Sequence, residues 1–380
     1  MFSLLQPVNL HIDLQELKDF GWLGGNIDIH TQDNIPDLQS ADLIIVGMPV
    51  DEESVDNEGT NYAPDQIRKA LYRLFPGKWD KKIADIGNID TSSGIQTAYS
   101  HLAEIAEKII FSDKSLIIIG GSQESTHILT KIYDLYNKSY NLCVIDAVID
   151  SVLFDATPDN ENYITEILTR EDSLLQNLSF IGVQTYYNHP SKFDIFDKLY
   201  VEYYKLGEVQ KDLQEVEPEI RDAHIVSIDM GAIKNADMPA QKISHPNGFT
   251  GQEICTLTRM AGISVQNKIL GIFEYNPYYD KNMNGAHLAA QMIWYYIEGK
   301  NVYQPDYPHI DKKNLIKFIV DNEIIKLNFY KNTQTSRWWV EIPGFGGKNK
   351  LFSCTEKDYY EALELKLSKR IYQIINKTSI

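Results

Sequence analysis

The sequence has few cysteines and no long apolar run. Its 380 residues include only three cysteines, Cys143, Cys255 and Cys354, too few and too scattered for a disulfide framework or a zinc site. No stretch approaches the roughly 18 apolar residues of a membrane-spanning helix. The first residues also lack the basic segment and apolar core of a secretory signal. These absences favour a cytoplasmic protein.

Positive charge is also scarce in this chain. Lysine and arginine number 36 against 53 aspartates and glutamates, which gives a formal net charge of −17. A surface of this sign repels the phosphates of nucleic acids and of anionic lipids, so we expect neither a nucleic acid nor a membrane as partner. Hydrophobic residues make up 43% of the chain, which is enough to build a large core.

Short apolar runs that end in polar residues recur along the chain. The organising run is residues 142–150, LCVIDAVID, which is typical of a strand buried on both faces that ends at Asp146. Residues 116–125, LIIIGGSQES, and 224–231, HIVSIDMG, have the same layout. Ligands bind at the carboxyl edge of open parallel sheets, so we expect the three strand ends to converge on one site.

Helical segments alternate with these strands. Strands are predicted at residues 41–49, 83–88, 115–119, 178–184, 224–229 and 268–274, besides the organising run. Helices are predicted at residues 63–71, 97–110, 124–136, 250–264 and 284–298. The alternation predicts a three-layer α/β fold, a mostly parallel sheet covered by helices on both faces. We assign this domain to residues 1–304.

The pattern changes in the last part of the chain. Short strands are predicted at residues 315–320, 324–329, 338–342 and 351–353. A capped amphipathic helix follows Thr355 and runs to about residue 375. We therefore expect a small α+β extension at residues 305–380, a meander of three or four strands with one helix. Trp338 and Trp339 belong either to a packed layer or to a docking surface for a protein partner, and packing is the more common case.

The three strand ends resemble the metal-binding signatures of the ureohydrolase family, which includes arginase, agmatinase and formimidoylglutamase. The family has Gly-Gly-Asp-His-Ser, Asp-Ala-His-x-Asp and Ser-x-Asp-x-Asp where this chain has GGSQE, DAVID and SIDMG. Further family motifs match in the same order at residues 47–51, 63–68 and 272–280, and residues 237–247 favour the formimidoylglutamase branch. The resemblance covers about residues 41–300 and implies an arginase-like fold.

The resemblance also implies a site for two Mn²⁺ ions, of which this chain keeps half the ligand positions. The retained positions are Asp146, Asp150 and Asp229, and the degraded ones are Gln123, Val148 and Gly231. The first metal position keeps carboxylates and an amide oxygen, which suit at most one weakly held Mn²⁺ or Mg²⁺. The second depends on positions 148 and 231 and should not bind metal. By the same resemblance, Glu274 would face the guanidinium or imino end of a substrate.

If fewer than two metal ions bind, the repulsion among the clustered carboxylates must be offset by another positive charge. Two carboxylates about 4 Å apart repel by about 4 kcal/mol at an effective dielectric constant of 20. Lys234, His127 and His245 lie close to the motifs in sequence. We expect one of these residues to supply the missing positive charge.

Two functions are compatible with this incomplete site. The favoured one is a catalytically inactive or altered ureohydrolase-fold protein that binds a ligand or acts as a scaffold, because function follows from the site and the site is incomplete. The alternative is an active metal-dependent hydrolase of linear amidines, with one metal or a rebuilt site, and two Mn²⁺ ions are expected only in this case. We expect a small guanidino, formimino or amino-acid-like ligand, a possible protein partner for the C-terminal region and, by resemblance, a homo-oligomer.

Overall fold

The computed structural model describes residues 2–10, 13–152, 159–302, 306–308, 313–321, 326–343 and 349–379. Its strands are β1 (Leu5–Gln6), β2 (Ile27–Ile29), β3 (Leu43–Gly47), β4 (Ile83–Ile89), β5 (Ser115–Ile119), β6 (Tyr140–Ile145), β7 (Leu175–Val183), β8 (Glu202–Lys205), β9 (Ile225–Asp229), β10 (Ile269–Phe273), β11 (Leu315–Asp321), β12 (Lys326–Asn332), β13 (Trp338–Pro343) and β14 (Asn349–Cys354). Its α-helices are α1 (Leu14–Asp19), α2 (Ala63–Leu71), α3 (Ile95–Ile110), α4 (Ser125–Leu135), α5 (Tyr163–Thr169), α6 (Pro190–Lys198), α7 (Leu206–Val209), α8 (Glu217–Asp222), α9 (Gly251–Ile263), α10 (Asn284–Val302), α11 (Glu356–Leu363) and α12 (Lys369–Ser379).

Ten strands in the described residues form one sheet. Their order is β1-β4-β3-β5-β10-β9-β6-β7-β8, with β2 paired to β4. Only β1 pairs antiparallel, and every other neighbouring pair in this described sheet is parallel. The predicted, mostly parallel sheet is therefore confirmed, and β5, β10, β9 and β6 lie side by side at its centre.

Two apolar layers sandwich this sheet. On one face, alternate strand residues such as Ile117 and Ile119 pack with α2, α9 and α10. On the other face, Leu116 and Ile118 pack with α3, α4 and α5. Because central strands are buried on both faces, their sequences read as continuous apolar runs, which is why they could be predicted. The three-layer α/β fold is confirmed.

The segment between residues 151 and 224 contains more structure than its sequence pattern predicts. The pattern indicates one strand, at residues 178–184, which is present as β7. The structure adds α5, α6, α7, α8 and the edge strand β8. These elements are short and rich in polar residues, so their apolar spacing is too sparse for a periodic signal.

The C-terminal region forms a second, antiparallel sheet in the order β11-β12-β13-β14. Thr355 caps α11 as predicted, because its side chain accepts a hydrogen bond from the Asp358 N–H. The single predicted helix is wrong: it is two helices, because Leu365 has a φ of 63° and left-handed backbone ends a helix. The first residues of the predicted strand at 324–329, and the proposed domain boundary at residues 304 and 305, lie outside the described ranges.

Both tryptophans of β13 lie inside the protein. Trp338 and Trp339 are buried, and the guanidinium of Arg221 lies 4.7 Å from the centre of the Trp339 ring. Arg221 Nη2 also donates to the Trp338 carbonyl oxygen, 3.0 Å away. These tryptophans therefore pack the second sheet against α8. No helix within the described ranges is long and apolar enough to cross a membrane.

Candidate functional site

The carboxyl ends of four central strands bring the motif residues to one edge of the main sheet. Gln123 follows β5, Glu274 follows β10, Asp229 ends β9 and Asp146 follows β6. The Gln123 N–H donates to Glu274 Oε1 at 2.9 Å, which directly joins two of these ends. Asp150 lies in the loop after β6, and the negative charges of Asp146 and Asp229 act on it. The strand ends converge as the sequence predicts.

The Asp146 and Asp150 carboxyl groups are buried and only partly hydrogen-bonded. Asp146 Oδ1 accepts from the Val148 N–H at 3.1 Å. The Oδ2 atoms of Asp146 and Asp150 are buried without a hydrogen-bond donor among the described residues, but the two carboxyl groups lie close enough to share a proton. Burial raises the pKa of Asp146 to about 6. Burial, followed by the charges of Asp146 and Asp229, raises the pKa of Asp150 well above its ordinary value.

Gln123 has a third buried side-chain oxygen that receives no hydrogen bond from the described residues. Its side chain is fully buried, and its Nε2 donates to Ser227 Oγ at 3.2 Å. Thr126 Oγ1 lies 2.8 Å from the same Ser227 oxygen. Gln123 Oε1 is left without a partner in the part of the chain that the structure describes. Amide and carboxylate oxygens suit a hard cation, so the donor chemistry of the first predicted metal position fits one such ion.

The oxygen atoms are of the type that a hard cation prefers, but they are not arranged as a complete coordination shell. Among the described residues, no group of three or more His, Cys, Asp or Glu side chains is placed to hold a metal ion. The buried polar oxygens of Gln123, Asp146 and Asp150 nevertheless lack a hydrogen-bond donor within the described ranges, and buried polar atoms in proteins are normally satisfied. The two carboxylates could each take up a proton or bind a cation. The amide oxygen Gln123 Oε1 can only accept a hydrogen bond or bind a cation.

The second predicted metal position does not fit a metal. Val148 and Gly231 have no donor side chain, and Asp229 Oδ1 accepts hydrogen bonds from the Gly231 N–H and from Gln241 Nε2, the latter at 2.9 Å. A Cβ atom added to Gly231 would lie 2.7 Å from Gln241 Oε1. The Gln241 amide must therefore shift before a side chain fits at position 231, and its hydrogen bonds to Asp229 and to the Glu274 carbonyl oxygen oppose that shift. Sequence reasoning missed Gln241, which lies in a polar loop.

Glu274 has an unusual backbone and a fully engaged carboxylate. Its φ is 62°, a conformation rarely adopted by residues with a side chain. Its Oε2 accepts from Asn57 Nδ2 at 2.8 Å and from Ser54 Oγ at 3.1 Å, while Oε1 accepts from the Gln123 N–H. The carboxylate that resemblance assigns to substrate recognition therefore anchors the loop after β3 over the site.

The three residues predicted to supply counter-charge have other contacts. His127 Nδ1 is hydrogen-bonded to the Glu124 carbonyl oxygen, and burial lowers the pKa of His127 to about 4. Lys234 Nζ lies 3.6 Å from Asp237 Oδ1. The His245 ring stacks on Tyr187 with 4.2 Å between ring centres, and burial lowers its pKa. Their role as replacements for metal charge remains a prediction.

Lys192 and Tyr163 are site residues that the sequence did not reveal. Lys192, on α6, donates from Nζ to the Ile149 carbonyl oxygen at 2.6 Å. Burial lowers the pKa of Lys192, and Asp150 and Asp146 oppose that shift. Burial and the charges of Asp150, Asp146 and Asp229 raise the pKa of the Tyr163 hydroxyl. Both residues come from the polar segment after Asp150, where no local pattern distinguishes them.

Comparison with known protein families identifies a match over most of the chain. The model of the arginase family matches residues 41–298. A formimidoylglutamase of Chromobacterium violaceum is 26% identical over 281 residues, which cover 68% of this chain and 88% of that protein. An agmatinase of Bacillus subtilis is 23% identical over 276 residues, which cover 68% of this chain and 91% of that protein. The second sheet lies beyond the family match.

Solved structures show the same fold. The crystal structure of a formimidoylglutamase from Bacillus subtilis aligns with a TM-score of 0.64 at 19% identity, covering 70% of this chain and 90% of that one. A Trypanosoma cruzi formiminoglutamase determined with Mn²⁺ aligns with a TM-score of 0.65 at 18% identity, covering 71% and 97%. These alignments confirm the predicted arginase-like architecture of the main sheet.

Proposed function

This chain belongs to the arginase family, and from that premise we propose that it is a binding protein in which the two-metal hydrolytic centre has been reduced to at most one cation position. The observation that carries this proposal is the second metal position. Val148 and Gly231 offer no donor there, and Gln241 occupies the space beside Gly231 and hydrogen-bonds Asp229.

Hydrolysis at a two-metal centre depends on groups that this site lacks. When bound, a pair of metal ions supplies a water acidified to hydroxide and stabilises the negative charge that develops during attack. Here Val148 and Gly231 offer no donor side chain to a second ion. The Glu274 carboxylate, moreover, accepts hydrogen bonds from Ser54, Asn57 and Gln123. Binding without turnover is the function that this arrangement supports best.

We propose that the ligands of this site are a single divalent cation, Mn²⁺ or Mg²⁺, and a small guanidino, formimino or amino-acid-like molecule. Gln123, Asp146 and Asp150 would hold the cation, because each has a buried oxygen without a hydrogen-bond donor in the described chain. The same oxygens favour a second candidate function, a one-cation hydrolase of linear amidines. In that case this chain would be an active enzyme of formimidoylglutamase, agmatinase or arginase type.

Metal content and turnover, measured together, separate the two functions. The protein would be purified without chelator and reconstituted with Mn²⁺, and metal per chain and turnover of formiminoglutamate, agmatine and arginine would be measured. The binding function predicts at most one ion per chain, lost in Asp146→Asn, and no turnover above that variant. Asp113→Asn, at an exposed aspartate, is the matched control. Two ions per chain, or turnover abolished by Asp146→Asn alone, would contradict the proposal.

A further inference from the structure

The C-terminal sheet has one open edge in the described chain. Its outermost strands are β11 and β14. The outer edge of β14 lies against α8, where the Ser353 N–H donates to Asp222 Oδ2 at 2.9 Å. No strand in the described ranges pairs with the outer edge of β11. An unpaired strand edge is a template on which a strand of another chain can pair.

The backbone of β11 directs every second residue toward this edge. β11 pairs with β12 over all seven of its residues in one continuous register. Just before β11, the Asn314 carbonyl oxygen accepts from the Thr333 N–H at 2.8 Å. Residues of an antiparallel strand alternately bond to one neighbour and face away from it, so the even-numbered residues of β11 bond toward β12. The N–H and C=O groups of Lys317, Ile319 and Asp321 therefore face the open edge.

The side chains of these three residues lie on the outward face of the strand. Phe318 and Val320, which alternate with them, pack into the core of the C-terminal region. Ile319 is 64% exposed, and Lys317 and Asp321 are also exposed. Because the three residues are spaced by two, they share one face, with an apolar side chain between opposite charges. Reversing the strand direction exchanges the two charges, so the pattern is complementary to itself.

Each of the two charges has only a weak contact in the part of the chain that the structure describes. The Lys317 ammonium lies 5.5 Å from the centre of the Tyr330 ring. Asp321 Oδ2 lies 3.0 Å from Lys326 Nζ, in an ion pair whose side chains are 53% and 79% exposed. Ion pairs in contact with water contribute little to stability, so both side chains are available to a partner strand.

We propose that β11 pairs antiparallel with β11 of a second copy of this chain, with the two-fold axis at Ile319. Lys317 then lies opposite Asp321 of the partner subunit, and the symmetry forms this pair twice. The outward N–H and C=O groups of the two strands meet in the hydrogen-bonded positions of the ladder. The second sheet lies outside residues 41–298, so this contact is separate from the homo-oligomer that the family resemblance implies.

The charges favour this register over its neighbours. Opposite charges that face each other across two strands stabilise the pairing, whereas like charges destabilise it. An axis at Lys317 would place two lysines opposite each other. An axis at Phe318 would place Lys317 opposite Ile319 of the partner subunit, and Asp321 would then face a leucine. Only the axis at Ile319 pairs both charged residues within the described strand.

Two charge reversals test this register by sedimentation equilibrium of the full chain. Lys317→Asp makes both members of the pair acidic, and Asp321→Lys makes both basic. Each should raise the Kd of the dimerisation step by at least about tenfold. An equimolar mixture of the two variants should recover wild-type association, because each chain then meets the opposite charge. Lys350→Asp, the same charge change at an exposed lysine of β14, is the matched control and should associate like the wild type.

Ile319→Pro tests the backbone pairing separately. Proline removes an N–H that faces the open edge, so the bonds between β11 and β12 are kept while the dimerisation step should be lost. Circular dichroism checks that each variant is folded. A mixture of the two charge reversals that associates no better than either alone would overturn the proposal. Equal association of wild type and all variants would also overturn it, and would leave the edge to a strand of a different protein.

Discussion

Glu202 and Glu219 share the hydroxyl group of Tyr204, which lies 3.0 Å from a carboxylate oxygen of each. A hydroxyl has one proton, so it can donate to only one of two carboxyl groups; the other contact requires a protonated carboxyl that donates to the hydroxyl oxygen. Arg370 Nη2 also donates to that oxygen at 3.1 Å. Burial raises the pKa of Glu202 well above its ordinary value, so Glu202 is the neutral member.

Protonation of Glu202 makes the stability of the protein sensitive to alkaline pH. The other charged groups that act on it are Glu219, which raises its pKa, and Lys377 and Arg370, which lower it. A raised pKa in the folded state contributes stability that is complete below the ordinary glutamate pKa of about 4.3 and is lost as pH rises through the raised value. Glu202→Gln, which keeps a neutral side chain, should therefore flatten the decline in stability toward alkaline pH.

Urea unfolding of wild type and Glu202→Gln between about pH 5 and about pH 9 measures this difference. Glu361→Gln, at a partly exposed glutamate of α11, serves as the control and should follow the wild type. Equal pH slopes for wild type and Glu202→Gln would contradict a proton held at Glu202.

The main sheet could be predicted because its strands obey a local rule. Central strands such as β5 and β10 are buried on both faces, so an unbroken apolar run is a sufficient signal. The break between α11 and α12 could not be predicted, because Leu365 adopts left-handed backbone without the glycine that usually indicates it. At Leu365 the packing of the folded chain imposes a backbone conformation that leucine does not favour.

The sequence predicts only those residues of the candidate site that belong to a recognisable motif. Asp146 and Asp229 follow apolar strands, and their positions come directly from that pattern. Lys192 and Gln241 reach the same edge from polar segments, and only the packing of the complete chain brings them there. The motif comparison thus locates Val148 and Gly231, whereas the contacts of Lys192 and Gln241 could not be predicted from sequence patterns.

Lys192 is predicted to compete with a divalent cation at the first metal position. Its ammonium group, bonded to the Ile149 carbonyl oxygen, acts electrostatically on Asp150 and Asp146. Lys192→Met should therefore increase Mn²⁺ affinity by roughly tenfold, since one positive charge near the carboxylates is removed. Titration calorimetry with Mn²⁺ measures the change, with Lys211→Met, at an exposed lysine, as control. Unchanged or weaker Mn²⁺ binding in Lys192→Met would show that the lysine is not a competitor.

Asn57 is predicted to hold the loop after β3 over the site. Its Nδ2 donates to Glu274 Oε2 at 2.8 Å and lies 3.2 Å from the Glu274 carbonyl oxygen. Asn57→Ala should lower the free energy of unfolding by about 1 to 3 kcal/mol, because buried acceptors lose a donor. Amide hydrogen exchange in residues 51–59 should also become faster.

Asp56→Asn is the matched control in the same loop, because it removes an exposed ion pair with Lys242 and keeps a side chain that tolerates the left-handed backbone at this position, where φ is 56°. Such surface pairs contribute about 0 to 1 kcal/mol. Equal loss of stability and equal exchange rates in the two variants would rule out a specific anchoring role for Asn57.

Restoring the missing ligands tests whether Gln241 blocks the second metal position. Val148→His together with Gly231→Asp would return both lost donors, but a side chain at position 231 meets Gln241. Displacing Gln241 also costs its hydrogen bonds to Asp229 Oδ1 and to the Glu274 carbonyl oxygen. We therefore expect the double variant to bind no more Mn²⁺ per chain than wild type, and the triple variant with Gln241→Ala to bind one additional ion. Equal metal content in the two variants would mean that the barrier lies elsewhere, in the hydrogen-bonded Glu274 carboxylate or in the charge of Lys192.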